Sequence, residues 1–230
     1  MDGVLNINKP RGITSHDVVS TVRRTIGENK IGHTGTLDPI ATGILLLCIG
    51  RATKLSRILT GCKKTYIAEM RLGIKTDTQD ATGNIVSTCS TYIIDEMKIL
   101  KIFLEFTGDI EQIPPMYSAV KYKGERLYKM ARRGITVERK AKKVHIYSMR
   151  LISANYEFIK FEVETSPGTY IRTLCEQIGD ELGCGGHMFN LQRIRIGNFL
   201  ISDSLSLDAV EVLYKEGRLK DAVIPMHCVN

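Results

Sequence analysis

The stretch GHTGTLDPIATG, Gly32 to Gly43, runs directly into ILLLCIG, Ile44 to Gly50. The second part is an unbroken apolar run of strand length, which predicts a buried strand. The first part therefore reads as a loop feeding that strand. It holds Gly32, Gly35 and Gly43, one histidine and one aspartate, and no lysine or arginine. Such a loop either cradles a phosphate or presents one carboxylate at a reactive centre. A phosphate loop needs G-x-x-x-x-G-K-[ST], and a dinucleotide loop needs G-x-G-x-x-G. Neither is present, and the first basic residue after Gly35 is Arg51. The cradle fails on the missing cation. Pro39 biases Asp38 away from helical backbone, and the glycines permit sharp turns and the close approach of a large partner. From the residues alone, Asp38 is either a turn-former bonded to its own backbone or a functional carboxylate. His33 has no second histidine or cysteine at ligand spacing, which argues against a metal site.

Working outward, GVLNINKPRG reads as an opening strand or turn. In TSHDVVSTVRRTIG, Thr14 or Ser15 caps a helix whose apolar face is Val18, Val19, Val22 and Ile26. Thr65 to Leu72 alternate, with Tyr66, Ala68, Met70 and Leu72 on one face, as a half-exposed strand does. TDTQDATGN is a polar turn, and MKILKIFLEF is a short helix stopped near Gly108. QIPPMYSAV is extended because of its paired prolines. Leu127, Met130 and Ala131 offer a short helical stripe, and KVHIYSMRLI and YEFIKFEVET read as two strands. SPGTYIRTLCEQIGDELG is a helix with Ile171, Leu174, Cys175, Ile178 and Leu182 at helical spacing. Strands and helices mix without strict alternation. This predicts an α+β fold: a mixed central sheet flanked by helices.

The chain has 230 residues, 43% of them hydrophobic and 25% charged, as in an ordinary globular protein. It has no apolar run of the roughly 18 residues that a membrane span needs. Its start, MDGVLNINKPRG, lacks the pattern of a signal peptide. A cytoplasmic protein with no membrane partner is the expectation. The six cysteines, at 48, 62, 89, 175, 184 and 228, are scattered, with no C-x-x-C pair. They read as reduced thiols rather than a disulfide framework or zinc site.

The net charge of +7 is concentrated in one place. Lys121, Lys123, Arg126, Lys129, Arg132, Arg133, Arg139, Lys140, Lys142 and Lys143 face only Glu125 and Glu138 in that segment, which alone carries +8. Tyr117, Tyr122 and Tyr128 are interleaved with the cations. Rings able to stack among positive charges favour nucleic acid over a merely solvated face. The segment reads as an insertion between the two halves of the sheet. In GTYIRTL, residues 168 to 174, Arg172 points away from the core-facing Ile171 and Leu174. It is either solvated or the partner of a buried carboxylate that it keeps ionised.

In order along the chain stand NKPRGITSHDVV, GHTGTLDPIATG, KTYIAEMRLGIKTDTQDATG, QIPPMYSAVKYKGERLYKMARRGI and SPGTYIRTL. Together, across residues 2 to 200, they resemble the bacterial tRNA pseudouridine synthase B family, whose members isomerise uridine 55 in the tRNA T-loop. The resemblance implies the pseudouridine synthase fold over residues 1–230, with the basic, thumb-like, RNA-gripping insertion at 114–143. It places the catalytic aspartate at Asp38, a tyrosine that packs on the target base and handles the C5 proton at Tyr66, and an arginine paired with the catalytic aspartate at Arg172. It makes Asp80 the second acid holding that arginine and lines the pocket with Tyr170 and Leu191. It makes His33 the residue that enters the space left by the flipped nucleotide. The RNA-binding set is Lys121, Lys123, Arg126, Lys129, Arg132, Arg133, Lys142 and Lys143.

The resemblance further implies no metal and no cofactor, because uracil leaves C1′, rotates and rejoins through C5 with no redox change. Asp38 acts either as covalent nucleophile or as the base that takes the 2′ proton. The expected partner is the T-arm stem-loop of tRNA, bound by a monomer without a protein partner or guide RNA. Where the family usually has L-R-R-T, this chain has Leu191-Gln192-Arg193-Ile194, with Arg193 and Arg195 left to supply charge. The sequence ends about where family members continue into a small C-terminal RNA-binding module, so that module is expected to be absent. Two rival readings are a catalytically idle tRNA-binding or tRNA-folding protein on the same fold and a nucleotide-phosphate enzyme built on the Gly32–Gly43 loop.

Overall fold

The structure, a computed structural model, describes residues 1–229. In chain order the elements are β1 (Gly3–Lys9), α1 (Ser15–Ile26), β2 (Ile31–Thr34), β3 (Thr42–Ile49), α2 (Ser56–Thr60), β4 (Lys64–Leu72), β5 (Ile74–Thr76), β6 (Ile85–Thr88), α3 (Glu96–Phe106) and β7 (Gly108–Gln112). They continue with β8 (Lys121–Tyr122), β9 (Glu125–Arg126), α4 (Leu127–Ala131), β10 (Lys142–Ala154), β11 (Phe158–Thr165), α5 (Ile171–Leu182), β12 (Gly186–Ile196), β13 (Phe199–Leu200), α6 (Leu207–Lys215) and α7 (Leu219–Ala222). The chain divides into two units: residues 1–66 with those from Leu191 onward, and residues 67–190.

In the first unit β3 is the central strand, as its apolar run predicts. It pairs antiparallel with β1 from Gly3↔Ile49 to Lys9↔Gly43, and antiparallel with β2 from Ile31↔Ile49 to Thr34↔Leu46. Its first residues pair parallel with β12, Gln192 opposite Thr42 and Arg193 opposite Gly43, so the sheet is mixed. Both faces of β3 are covered. Leu45, Leu47 and Ile49 pack with Val18, Val19 and Val22 of α1 and Val210 of α6, whereas Ile44, Leu46 and Cys48 pack with Leu59 and Ile196. Double burial is why the sequence here shows no alternation.

Helix α1 begins in a capping box: the Thr14 hydroxyl takes the Asp17 N–H, and the Asp17 carboxylate takes the Thr14 N–H. It ends at Gly27 in left-handed backbone, φ 66°. Gly43 has φ +100°, and a Cβ there would lie 2.2 Å from the Arg193 carbonyl oxygen. Only glycine fits where β3 meets β12.

In the second unit the strand order is β12-β4-β11-β10-β7. Strands β10 and β11 are antiparallel with register shifts near Ile146 and Leu151. Ile159, Phe161 and Val163 are buried, as the alternation predicts, and Phe161 meets Phe103 of α3 with ring centroids 5.3 Å apart. The basic segment leaves β7 and returns in β10, and these two strands pair antiparallel, Gln112 opposite Lys142. It is thus an excursion between two neighbouring strands rather than a link between two halves of the sheet. Its hairpin β8–β9 turns through Lys123 (φ 48°) and Gly124 (φ 89°), two positive values as a two-residue hairpin turn requires.

No described helix is long and apolar enough to cross a membrane. The cysteines are free thiols, and burial pushes Cys48 up to about 11 and Cys175 higher still.

Candidate active site

Asp38 lies in the first unit, and the backbone on both sides of it is pinned. The Ser15 hydroxyl donates to the Leu37 carbonyl at 3.1 Å and accepts from the Leu37 N–H at 2.9 Å. The Pro39 carbonyl accepts from the Gly12 N–H at 2.8 Å and from Lys9 Nζ at 3.4 Å. The Ala41 N–H closes the turn on the Asp38 carbonyl at 3.0 Å. Sequence reasoning weighed Ser15 only as a helix cap. The cap is Thr14, which frees the buried Ser15 hydroxyl to clamp the loop. These bonds fix the turn through groups other than the Asp38 side chain, which weakens the turn-former reading.

Lys9 is fully buried, and its Nζ also donates to the Pro10 and Ile13 carbonyls, each at 2.8 Å. Burial brings it down to about 8, with Asp38 opposing that shift and Arg193 adding to it. Lys64 is likewise brought down to about 8 by burial, with Arg193 contributing. Its Nζ donates to the Thr60 and Cys62 carbonyls. The Gly32–Gly43 loop, which carries no cation of its own, is thus surrounded by cations from β1, β4 and β12.

Arg193 corrects a sequence expectation. It is 1% exposed, so its charge does not face RNA. Nε donates to the Ile44 carbonyl and Nη2 to the Gly35 carbonyl, each at 2.8 Å, and the guanidinium hydrogen-bonds the Tyr66 hydroxyl. Arg195, two residues on, is exposed. The two share a face of β12, and what separates them is cover: Arg193 lies under the Gly35 and Ile44 carbonyls, whereas Arg195 reaches the nearby Gly197 carbonyl. Tyr66 is buried on the same face of β4 as Ala68 and Met70, and Leu191 is buried with its carbonyl 3.5 Å from the Thr42 hydroxyl. His33 is half-buried on β2 opposite Leu47. Burial first, then Arg193 and His16, lower its pKa, so it is neutral at neutral pH.

Asp80, Tyr170 and Arg172 lie in the second unit. Arg172 is 5% exposed and Asp80 4% exposed, so the solvated reading of Arg172 does not hold. Arg172 Nη1 lies 3.5 Å from Asp80 Oδ2 and 3.2 Å from the Thr78 carbonyl, and Nη2 donates to the Tyr117 carbonyl at 2.9 Å. Asp80 Oδ1 accepts from the Thr78 hydroxyl (2.8 Å), the Thr82 N–H (2.9 Å) and the Thr82 hydroxyl (2.5 Å). Gln79 adopts φ 62°, uncommon for a residue with a Cβ, and its side chain bonds Thr173 and Glu176 of α5. The polar turn read in TDTQDATGN is therefore a latch that sets Asp80 against Arg172.

Lys121, Lys123, Arg126, Lys129, Arg132, Arg133, Lys142 and Lys143 are all exposed on the insertion. Arg133 is paired with Glu125 at 2.6 Å. Lys123 and Arg132 lie over the rings of Tyr122 and Tyr128, at 5.6 and 5.5 Å. Leu127 roots the segment and is buried. Among the described residues no three His, Cys, Asp or Glu side chains gather as a metal site would require.

Residues 23–171 match the N-terminal domain of TruB family pseudouridylate synthases, and residues 172–229 match the C-terminal domain of tRNA pseudouridylate synthase B. A tRNA pseudouridine synthase B of Clostridium kluyveri is 51% identical over 92% of this chain and 73% of its own length. One from Geobacillus thermodenitrificans is 46% identical over 98% of this chain and 77% of its own. Among solved structures, a Cbf5-Nop10-Gar1 complex aligns with TM-score 0.75 and 29% identity, over 98% of this chain. An H/ACA RNP bound to a substrate RNA containing 2'-deoxyuridine aligns at 0.74 and 27%, also over 98%. This chain spans 60% of the length of each of these two. Matches of this extent to both domains decide the family: the chain belongs to the TruB family of pseudouridylate synthases.

Proposed function

We propose that this chain isomerises uridine 55 in the T-loop of tRNA to pseudouridine, with Asp38 as the reacting carboxylate. The observation that carries the proposal is the pinning of Leu37 and Pro39 on either side of Asp38, which preorganises one carboxylate within a cationic surround. The N1–C1′ bond breaks, uracil rotates, the C5–C1′ bond forms, the C5 proton leaves and N1 gains one. No electrons are gained or lost, and the residues of the chain supply every group the sequence requires. Asp38 works at C1′ or at the 2′ proton, Tyr66 packs on the base and handles the C5 proton, and Leu191 and Tyr170 line the pocket. Arg172 contributes a guanidinium that Asp80 holds in place.

The target must leave its stack, at a cost of a few kcal/mol. Phosphate contacts from Lys121, Lys123, Arg126, Lys129, Arg132, Arg133, Lys142 and Lys143 offset that cost, and neutral His33 fills the vacated space. The chain acts in the cytoplasm as a monomer, with its own basic insertion as the grip in place of a guide RNA or protein partner.

The test is to incubate the protein with unmodified tRNA and with a T-arm minihelix, then map pseudouridine at nucleotide resolution. Modification confined to position 55 in both substrates is expected. Tight tRNA binding without product would favour the idle RNA-binding reading, and modification elsewhere would overturn the assignment of substrate.

A further inference from the structure

Gln112 ends β7 and is the residue immediately before the segment that leads into the basic insertion. Its backbone pairs with Lys142, where the chain returns in β10. The residue is polar but only 1% exposed. Both ends of its amide are spent on one residue: Nε2 donates to the Tyr170 carbonyl at 3.2 Å, and Oε1 accepts from the Tyr170 N–H at 2.9 Å. Nε2 also lies 3.5 Å from Gln177 Oε1. A primary amide that meets both backbone groups of one residue reproduces a rung of an antiparallel ladder.

The rung falls at a place where α5 needs it. Tyr170 is the N-cap of that helix and provides no side-chain cap; its carbonyl accepts the Leu174 N–H at 3.0 Å. Two residues on, Arg172 reaches the Tyr117 carbonyl of the insertion. Within the insertion, Arg139 Nη1 donates to the Pro114 carbonyl at 3.2 Å, which ties its two limbs together.

We infer that Gln112 is a positioning residue: it locks the first turn of α5, and with it Tyr170 and Arg172, to the root of the basic insertion. The inference rests on the roles proposed above for those two residues. Tyr170 and Arg172 then hold their places only while the root of the insertion is seated. Leucine at 112 fills the space with neither bond. Glutamate keeps the acceptor for the Tyr170 N–H but turns a carboxylate oxygen toward the Tyr170 carbonyl, so it restores half of the rung.

The experiment compares wild type, Gln112→Leu and Gln112→Glu as full chains on whole tRNA. Three quantities are read: the single-turnover rate constant at saturating enzyme, the tRNA Kd, and hydrogen exchange in residues 166–175. Gln112→Leu should lower the saturated rate constant on the order of 30-fold, the scale of a small misplacement of reacting groups. Its Kd should stay within about threefold of wild type, because the phosphate contacts of the insertion are intact. Exchange in 166–175 should quicken, and Gln112→Glu should fall between the two on rate and exchange.

A purely structural role would lower the active fraction and leave the rate constant alone. That outcome, or a loss confined to Kd, overturns the inference. If Gln112→Leu does not fold, Gln112→Glu decides: a wild-type rate constant with wild-type exchange overturns it. If wild type forms no pseudouridine, the functional reading fails by itself, and the exchange comparison still decides whether Gln112 holds α5.

Discussion

Arg172 Nη1 lies 3.5 Å from Asp80 Oδ2, with both side chains almost closed off from water. Thr78 and Thr82 saturate the other oxygen of Asp80, and the Thr78 and Tyr117 carbonyls take further guanidinium N–H groups. The fork is therefore fixed in plane by several acceptors, which a single ammonium cannot satisfy. Arg172→Lys should lower turnover by roughly a hundredfold or more, in the range seen when one preorganised donor is removed. Near-wild-type turnover under saturating tRNA would show that charge alone suffices there.

A second prediction concerns pH. Lys9 has a folded value of about 8 against 10.5 for the unperturbed group. Between those values the unfolded chain binds a proton that the folded chain does not, so this residue makes stability rise with pH across that window. Below pH 8 both states are protonated and the full penalty, on the order of 3 kcal/mol, is present. Lys9→Met removes the titration. The unfolding free energy of wild type minus that of Lys9→Met should therefore shift toward wild type as pH rises from 8 to 10.5. Lys64 and Cys48, which also titrate there, cancel in the difference. A difference flat with pH would contradict the burial argument.

Lys142 and Lys143 open β10 at the foot of the insertion and are exposed. If the insertion tracks RNA phosphates, replacing both with glutamine should flatten the dependence of log K on log salt by up to about 1.8. The slope is read from tRNA titrations at several salt concentrations. An unchanged slope would move the RNA path off this limb.

Periodicity was informative where a segment packs on one partner. The α1 stripe of Val18, Val19 and Val22, the alternation of Tyr66, Ala68 and Met70, and the doubly buried run of β3 all appear in the structure as the residues imply. It leaves Arg172 open between a solvated and a buried, paired side chain, and it is silent on Arg193. A helical pattern assigns one buried face, but α5 is covered on a second side by the 76–82 turn and by Tyr117, and this burial comes from residues about 55 to 95 positions away. Composition counts Arg193 with Arg195 as available charge because it does not show which of them the Gly32–Gly43 loop covers; the bonds from Arg193 to the Gly35 and Ile44 carbonyls do. Gln112 carried no signal in sequence and Ser15 only that of a helix cap, since each acts by bonding backbone groups far along the chain.

The central claim is that one carboxylate, Asp38, performs the isomerisation. The most direct measurement is tritium release from tRNA labelled at C5 of uridine, with Asp38→Asn beside wild type and tRNA affinity measured in parallel. Wild type should release about one tritium for each tRNA modified, and Asp38→Asn should release none while binding tRNA nearly as tightly. Release by Asp38→Asn at a wild-type rate would contradict the account.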